Sequence, residues 1–224
     1  MTLPLLIVRP EPGALATAQR AVKQGLHSIC YPLFELHGCA WEPPDPAGFD
    51  AMLLTSANTL RCGGPGLALY RHLPVYAVGD TTAAAAREHG FDVAGVGHSG
   101  AQLVSEIIAA RGHGRVFHPG GRDRRQFNAG PLVIIRRCVY EAAEAGDAEG
   151  LFAVMPEEAV ALLHSPRAAV RLARLVPMME RRRLHLAAIS PSVLDAAGAG
   201  WASGDAAPAP QDEALLVLAS ALCK

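Results

Sequence analysis

Aromatic residues are scarce in this chain, at 5% of 224 positions, and charged residues reach only 18%. Lys and Arg total 20 against 21 Asp and Glu, a formal net charge of −1. Neither a nucleic-acid face nor an anionic membrane surface has an electrostatic basis here, so an anionic ligand must be met by local donors. The cysteines are few, odd in number and scattered: Cys30, Cys39, Cys62, Cys138 and Cys223, with no C-x-x-C pair. That usage suits a reduced, cytoplasmic protein whose thiols act as small core residues. Nine histidines include no H-E-x-x-H and no tight Cys/His cluster, so no metal site emerges. There is no G-x-G-x-x-G after the first strand and no G-x-x-x-x-G-K-[ST], which removes the usual basis for a nucleotide-using enzyme. Met1 to Val8 is apolar but short and lacks a basic n-region, and no run is long enough to span a bilayer, so neither a signal peptide nor a membrane span is expected.

What is abundant is core material: half the residues are hydrophobic, enough for one large domain or two small ones. One device occurs twice. Ala51 to Leu54 is a short apolar run ending in the polar turn Thr55-Ser56-Ala57-Asn58, and Ala159 to Leu163 runs into His164-Ser165-Pro166-Arg167. Short apolar runs bounded by turn signals suit strands buried in a parallel sheet. Ser or Asn caps the next helix, Pro fits its first turn, and the free N–H groups there favour an anion. Two copies suggest two lobes facing a shared ligand.

Leu5 to Val8 reads as the first strand, and Leu15, Ala18, Val22 and Leu26 recur at helical spacing before a second strand at Ser28 to Leu33. Pro43-Pro44 and Pro46 then mark a crossing between lobes. Cys62-Gly63-Gly64-Pro65-Gly66 cuts one helix short. Val75 to Val78 is a strand, Gly79-Asp80-Thr81-Thr82 opens an alanine-rich helix, and Ser99 to Gln102 has capping-box spacing before a helix with Leu103, Val104, Ile107 and Ile108 on one face. Arg115 to His118 is extended and leads into a Pro119-to-Arg122 turn. Val133 to Ile135 and Cys138 to Tyr140 are extended, and Glu141 to Gly150 breaks the pattern as the second crossing. Leu186 to Ile189, the Ser190-Pro191-Ser192 turn and a helix at Ala214 to Leu222 close the chain. Alternating strands and helices predict α/β layers with parallel sheets, which bind ligands at the carboxyl ends of their strands.

Six segments occur together and in order: Val8-Arg9-Pro10, Leu54-Thr55-Ser56-Ala57-Asn58, Tyr76-Ala77-Val78-Gly79-Asp80-Thr81-Thr82-Ala83, Val139-Tyr140-Glu141, His164-Ser165-Pro166-Arg167-Ala168 and Ile189-Ser190-Pro191-Ser192. In this the chain resembles the uroporphyrinogen-III synthases over nearly its whole length. The resemblance implies two parallel-sheet α/β lobes joined by a two-stranded connector, with the site in the cleft between them. One lobe would comprise residues 1–35 and 145–224, the other 39–138, with connector strands at 36–38 and 139–144. It also implies closure of hydroxymethylbilane to uroporphyrinogen III, with inversion of the last pyrrole ring and loss of water, in the biosynthesis of haem, cobalamin or related tetrapyrroles. No cofactor or metal is implied. A monomer in transient contact with the upstream deaminase completes the expectation. The rival is a non-enzymatic bilobal module binding an anionic small molecule.

Loss of the hydroxymethyl oxygen leaves a cationic azafulvene, so a weak acid near that oxygen helps. The rest is positioning of a flexible chain, worth up to about 7–11 kcal/mol in favourable cases. Tyr140 matches the family's Val-Tyr-Glu and is the candidate acid; its alternative is a packing tyrosine. Carboxylate-binding candidates are Thr55, Ser56, Ala57 and Asn58, Gly79, Thr81 and Thr82, Gly120, Gly121 and Arg122, and Ser165, Ser190 and Ser192, each hydroxyl having an ordinary helix cap as its alternative. Arg9 matches the family's Arg-Pro; its alternative is a salt bridge fixing the first loop. Arg124, Arg125 and the run Arg181 to Arg183 read as solvated surface. Asp212 fits no paired-carboxylate scheme. Departures from the family pattern are Gly63-Gly64-Pro65-Gly66, Pro156, and His164 where relatives carry an aromatic residue or threonine.

Overall fold

The computed structural model describes residues 2–98, 100–123 and 126–223. The expected Ser99 cap and the residues Arg124 and Arg125 lie outside them. The chain divides into two compact units: unit 1 is Met1–Glu35 with Ala143–Lys224, and unit 2 is Leu36–Ala142.

Unit 1 holds β1 (Leu5–Ile7), α1 (Gly13–Lys23), β2 (Ser28–Cys30), α5 (Ala148–Val154), β9 (Ala159–Leu163), α6 (Pro166–Leu175), β10 (Leu184–Ala188), α7 (Pro191–Ala197), β11 (Ser203–Ala206) and α8 (Asp212–Leu222). Its sheet has the order β11-β10-β9-β1-β2 and is parallel throughout. The central strands are fully buried, which is why β1 and β9 read as unbroken apolar runs rather than alternating ones. Leu5, Ile7, Val160 and Leu162 pack with Ala14 and Ala21 of α1 and Leu215, Leu216 and Ala219 of α8. Each such buried Leu, Ile or Val side chain contributes about 1.5–3 kcal/mol.

The helix at α1 forms where expected but turns a different face inward. Leu15 and Val22 are 55% and 68% exposed, and Ala14, Thr17 and Ala21 are buried instead. Of the expected stripe, Ala18 and Leu26 do pack in the core, while small residues at Ala14, Thr17 and Ala21 take the places of Leu15 and Val22 and let the helix lie close to its neighbours. α5 begins within the stretch read as pattern-breaking and runs beyond it; Asp147 caps it by accepting from Gly150 N–H at 2.7 Å.

Unit 2 holds most of β3 (Phe34–Gly38) and β8 (Val133–Glu144), together with β4 (Ala51–Leu54), α2 (Asn58–Cys62), β5 (Val75–Val78), α3 (Asp80–Glu88), β6 (Val93–Gly97), α4 (Ala101–Ala110) and β7 (Arg115–Gly121). Its sheet order is β3-β8-β7-β4-β5-β6. β8, β7, β4, β5 and β6 run parallel. β3 is antiparallel to β8, as the bonds from Ala145 N–H to Leu33 O and from Cys39 N–H to Val139 O require. One face packs Met52, Leu54, Val75 and Phe117 under α2 and α3; the other packs Ala51, Leu53, Tyr76 and Val116 against Val104 and Ile108 of α4. In α4, Leu103 is 39% exposed and Ser105 takes part in the buried face.

Pro119 to Gly121 do not form the expected turn; they continue β7. β7 pairs with β4 through Val116 and Phe117, and beyond them Thr59 Oγ1 donates to Pro119 O at 3.4 Å, so proline, lacking an N–H, is tolerated past the end of that ladder. The two extended stretches expected at Val133 to Ile135 and Cys138 to Tyr140 are one strand, β8, with a register shift against β7 between Gly120 and Gly121.

Candidate active site

Where β4 ends at Leu54 and β7 runs on, unit 2 has a cavity of about 310 Å³, lined by Thr55, Ser56, Val78, Gly100, Ala101, His118, Gly121, Asp123, Phe127 and Tyr140. It lies at the carboxyl ends of parallel strands, the ligand position of such sheets. Tyr140 comes from β8 and reaches across β7. A Cβ on Gly121 would come within 2.8 Å of the Tyr140 ring and 3.0 Å of its hydroxyl, so only glycine leaves room for the phenol. Burial raises the Tyr140 phenol above its ordinary value, with the Ser56 hydroxyl, its hydrogen-bond partner, opposing the rise. Ser56 Oγ accepts from Asn58 N–H at 3.2 Å. Its own proton can then go to the Tyr140 oxygen, leaving the phenolic proton for a ligand.

His118 is 3% exposed, and its Nε2 lies 3.3 Å from Thr55 Oγ1. Its ring is 5.9 Å from that of Phe127, over which Arg136 sits at 5.2 Å. Gly100, with φ of 98°, precedes α4 and has no side chain to cap it, so among the described residues the first N–H groups of that helix can serve an acceptor.

Unit 1 has its own polar cluster, also at strand carboxyl ends. Asp212 accepts from Arg20 Nη1 at 2.8 Å, Arg9 Nη1 at 3.3 Å and Thr17 Oγ1 at 3.0 Å, and pairs with His164 Nε2 at 2.8 Å. Burial alone would raise Asp212, but His164, Thr17 and Arg9 outweigh it and hold the carboxyl at about 2. Burial is also the main cause lowering His164, despite the adjacent carboxylate, and it lowers Arg9. Among the described residues no group of three or more His, Cys, Asp or Glu is placed to hold a metal ion.

The family model for uroporphyrinogen-III synthase HemD matches residues 16–216. The chain belongs to the uroporphyrinogen-III synthase family. Among solved structures it is similar to uroporphyrinogen-III synthetase from Helicobacter pylori, with TM-score 0.70 and 20% identity over 98% of this chain and 99% of that one. It is also similar to a mutant uroporphyrinogen III synthase from Thermus thermophilus, with TM-score 0.50 and 17% identity over 98% of each chain. At such identities these likenesses speak for the fold. No curated protein matches the chain closely enough to count as a relative. Family membership makes this an enzyme of tetrapyrrole synthesis, a uroporphyrinogen-III synthase by function, acting on a small molecule; a purely binding role is not favoured.

Of the residues the synthase resemblance singled out, the cavity brings together Thr55, Ser56, Gly121 and Tyr140. Ala57 is the buried N-cap of α2, and Asn58 accepts from Arg61 at 3.0 Å. Gly79, with φ of 77°, precedes α3; Thr81 is exposed and Thr82 is buried in the helix face. Gly120 lies within β7, and Arg122 pairs with Glu141 at 2.6 Å while giving its backbone N–H to Tyr140 O at 2.9 Å. In unit 1, Arg9 is engaged by Asp212 and Thr17, and Ser165 caps α6 by accepting from Ala168 N–H at 3.2 Å. Ser190 and Ser192 have their hydroxyl oxygens 3.1 Å apart at the start of α7. The synthase motifs did not point to His118, Phe127 or Gly100. Once Gly120 and Gly121 are placed in a strand, the pair marks close approach of another group, but read as a turn it carries no such signal.

Proposed function

We propose that the chain is a cyclising hydro-lyase whose unit 2 cavity receives the hydroxymethyl-bearing end of hydroxymethylbilane, with Tyr140 as proton donor to the departing oxygen. The observation that carries this is the Tyr140 phenol, seated on Gly121 beside Ser56 in a polar-edged cavity. At about 310 Å³ the cavity is at the lower end of the ~300–1,000 Å³ range of ligand pockets, room for one substituted end of the chain and not four rings.

The pyrrole nitrogen pushes electrons toward the hydroxymethyl carbon as the C–O bond breaks, and the oxygen leaves as water with the phenolic proton. The half-buried phenol, raised above its ordinary value, gives up that proton late, so its hydrogen bond strengthens as charge develops on the leaving oxygen and transfer completes as the C–O bond breaks. Ser56, directed at the phenolic oxygen, stabilises the negative charge that develops there. The azafulvene then meets the substituted carbon of the last ring, and ring inversion follows from which carbon is held nearest. The open N–H groups at the start of α4 and the Thr55 hydroxyl fit a side-chain carboxylate of the substrate. His118 supports Thr55 from behind. We place the enzyme in the cytoplasm as a monomer, meeting the upstream deaminase only transiently.

The test generates hydroxymethylbilane in situ with porphobilinogen deaminase, adds this protein, oxidises, and resolves the uroporphyrin isomers. Type III product that depends on the protein is expected. Type I alone, from folded protein and live substrate, overturns the reading.

A further inference from the structure

Two of the five cysteines are neighbours across the β3–β8 strand pair. Cys39 follows β3 and Cys138 lies in β8, and their sulfurs are 3.9 Å apart. In a regular antiparallel ladder with Cys39 opposite Val139, residues 39 and 138 would point to opposite faces of the sheet. The register shift against β7, where Gly120 faces Cys138 and Gly121 faces Tyr140, leaves Val139 as an extra residue in β8. Such a bulge re-aims side chains and accounts for both sulfurs lying on one side. Both cysteines are half-buried, so a small reagent can reach them. The nearby Arg122 guanidinium places positive charge where a thiolate develops during exchange. Cys138 Sγ also contacts the carbonyl oxygen of Tyr140 at 3.4 Å, tying the pair to the strand that carries the catalytic candidate.

We propose that Cys39 and Cys138 form a reversible disulfide when the protein meets a low-molecular-weight disulfide. One cysteine thiolate attacks the sulfur–sulfur bond of the oxidant and expels one thiolate, giving a mixed disulfide. The second cysteine thiolate attacks the protein sulfur of that mixed disulfide and expels the other. The protein thus loses two electrons and two protons, and the oxidant leaves as two thiols. Closing the sulfurs from 3.9 Å to the bonded distance of about 2.0 Å asks for adjustment of the strand ends around Tyr140. Burial pushes the Cys138 thiol up, so this sulfur is slow to ionise at neutral pH.

The experiment is cysteine mapping and does not depend on the synthase reading, so failure of one leaves the other standing. Native full-length protein is incubated with oxidised glutathione, free thiols are blocked with iodoacetamide, and a digest is read by mass spectrometry. The expected result is a peptide containing Cys39 linked to one containing Cys138, lost on adding dithiothreitol. Cys138→Ser is expected to abolish the cross-link and leave Cys39 carrying glutathione. Recovery of Cys39 and Cys138 as separate alkylated or glutathionylated residues in the native protein overturns the proposal. So does cross-linking of either to Cys62 or Cys30 instead.

Discussion

The Asp212 cluster of unit 1 and the Tyr140 cavity of unit 2 are built alike and differ in one respect. Both sit at carboxyl ends of parallel strands, both combine a titratable group with a buried histidine and a hydroxyl, and both begin in strands that are almost wholly apolar. In unit 1 the charged groups are paired with one another, while His164 Nδ1 is buried with no hydrogen-bond partner among the described residues. Asp212 meets Arg9, Arg20, Thr17 and His164, while Arg20 also pairs with Glu213 at 3.2 Å, so two arginines balance two carboxylates. In unit 2 the phenol, the Thr55 hydroxyl and the helix start of α4 border open space. Position at the strand ends makes a polar cluster available for chemistry; whether its donors are already spent decides if it does any.

Removing the phenol is expected to have the largest effect. Tyr140→Phe should lower turnover on the order of 10²-fold, the usual lower range for loss of a general acid, with the urea midpoint unchanged. Next is Asp212→Ala, which strands Arg9 and Arg20 without their carboxylate and should cost about 3 kcal/mol, read as a lowered urea midpoint. The same cluster sets an acid limit. Asp212 is lowered to about 2, so its contribution is complete above the ordinary carboxylate range and is lost as pH falls toward 2. His164 is also lowered, so the unfolded chain takes up that proton first and stability falls further as pH drops below about 6.5. Asp212→Asn should flatten the acid limb below pH 5 in equilibrium unfolding. Gly121→Ala, which drives a methyl into the Tyr140 ring, should reduce turnover by about tenfold, each tenfold being about 1.4 kcal/mol of transition-state stabilisation. Ser165→Ala is the smallest: loss of a helix cap, about 1 kcal/mol of stability with turnover unaffected.

What was legible in the sequence was local. Apolar runs bounded by polar turns located β1, β4, β5, β9 and β10, and Ser165 could be read as a cap because its partner is Ala168. What was illegible depended on distant partners or on shape. His164 looked like a departure and Asp212 like a stray carboxylate until folding brought them 2.8 Å apart across 48 residues of chain. α1 misled because Leu15 and Val22 fit a helical stripe as well as Ala14, Thr17 and Ala21 do, and only packing decides which faces in. Tyr140 and Ser56 were named separately through the family resemblance, and nothing in their spacing said that one hydroxyl would support the other. Pro119 to Gly121 reads as a turn on composition, but these residues lie past the end of the β4–β7 ladder, where a strand accepts them.

The most direct test of the contrast between the two clusters is a crossed comparison of Tyr140→Phe and Asp212→Asn, each measured for type III uroporphyrin formation and for urea unfolding. The expected result is a crossover: Tyr140→Phe loses product formation and keeps its unfolding midpoint, while Asp212→Asn loses midpoint and, at temperatures where it is folded, keeps turnover. If Asp212→Asn loses turnover while fully folded and Tyr140→Phe does not, the chemistry resides in unit 1 and the assignment of the two clusters is reversed.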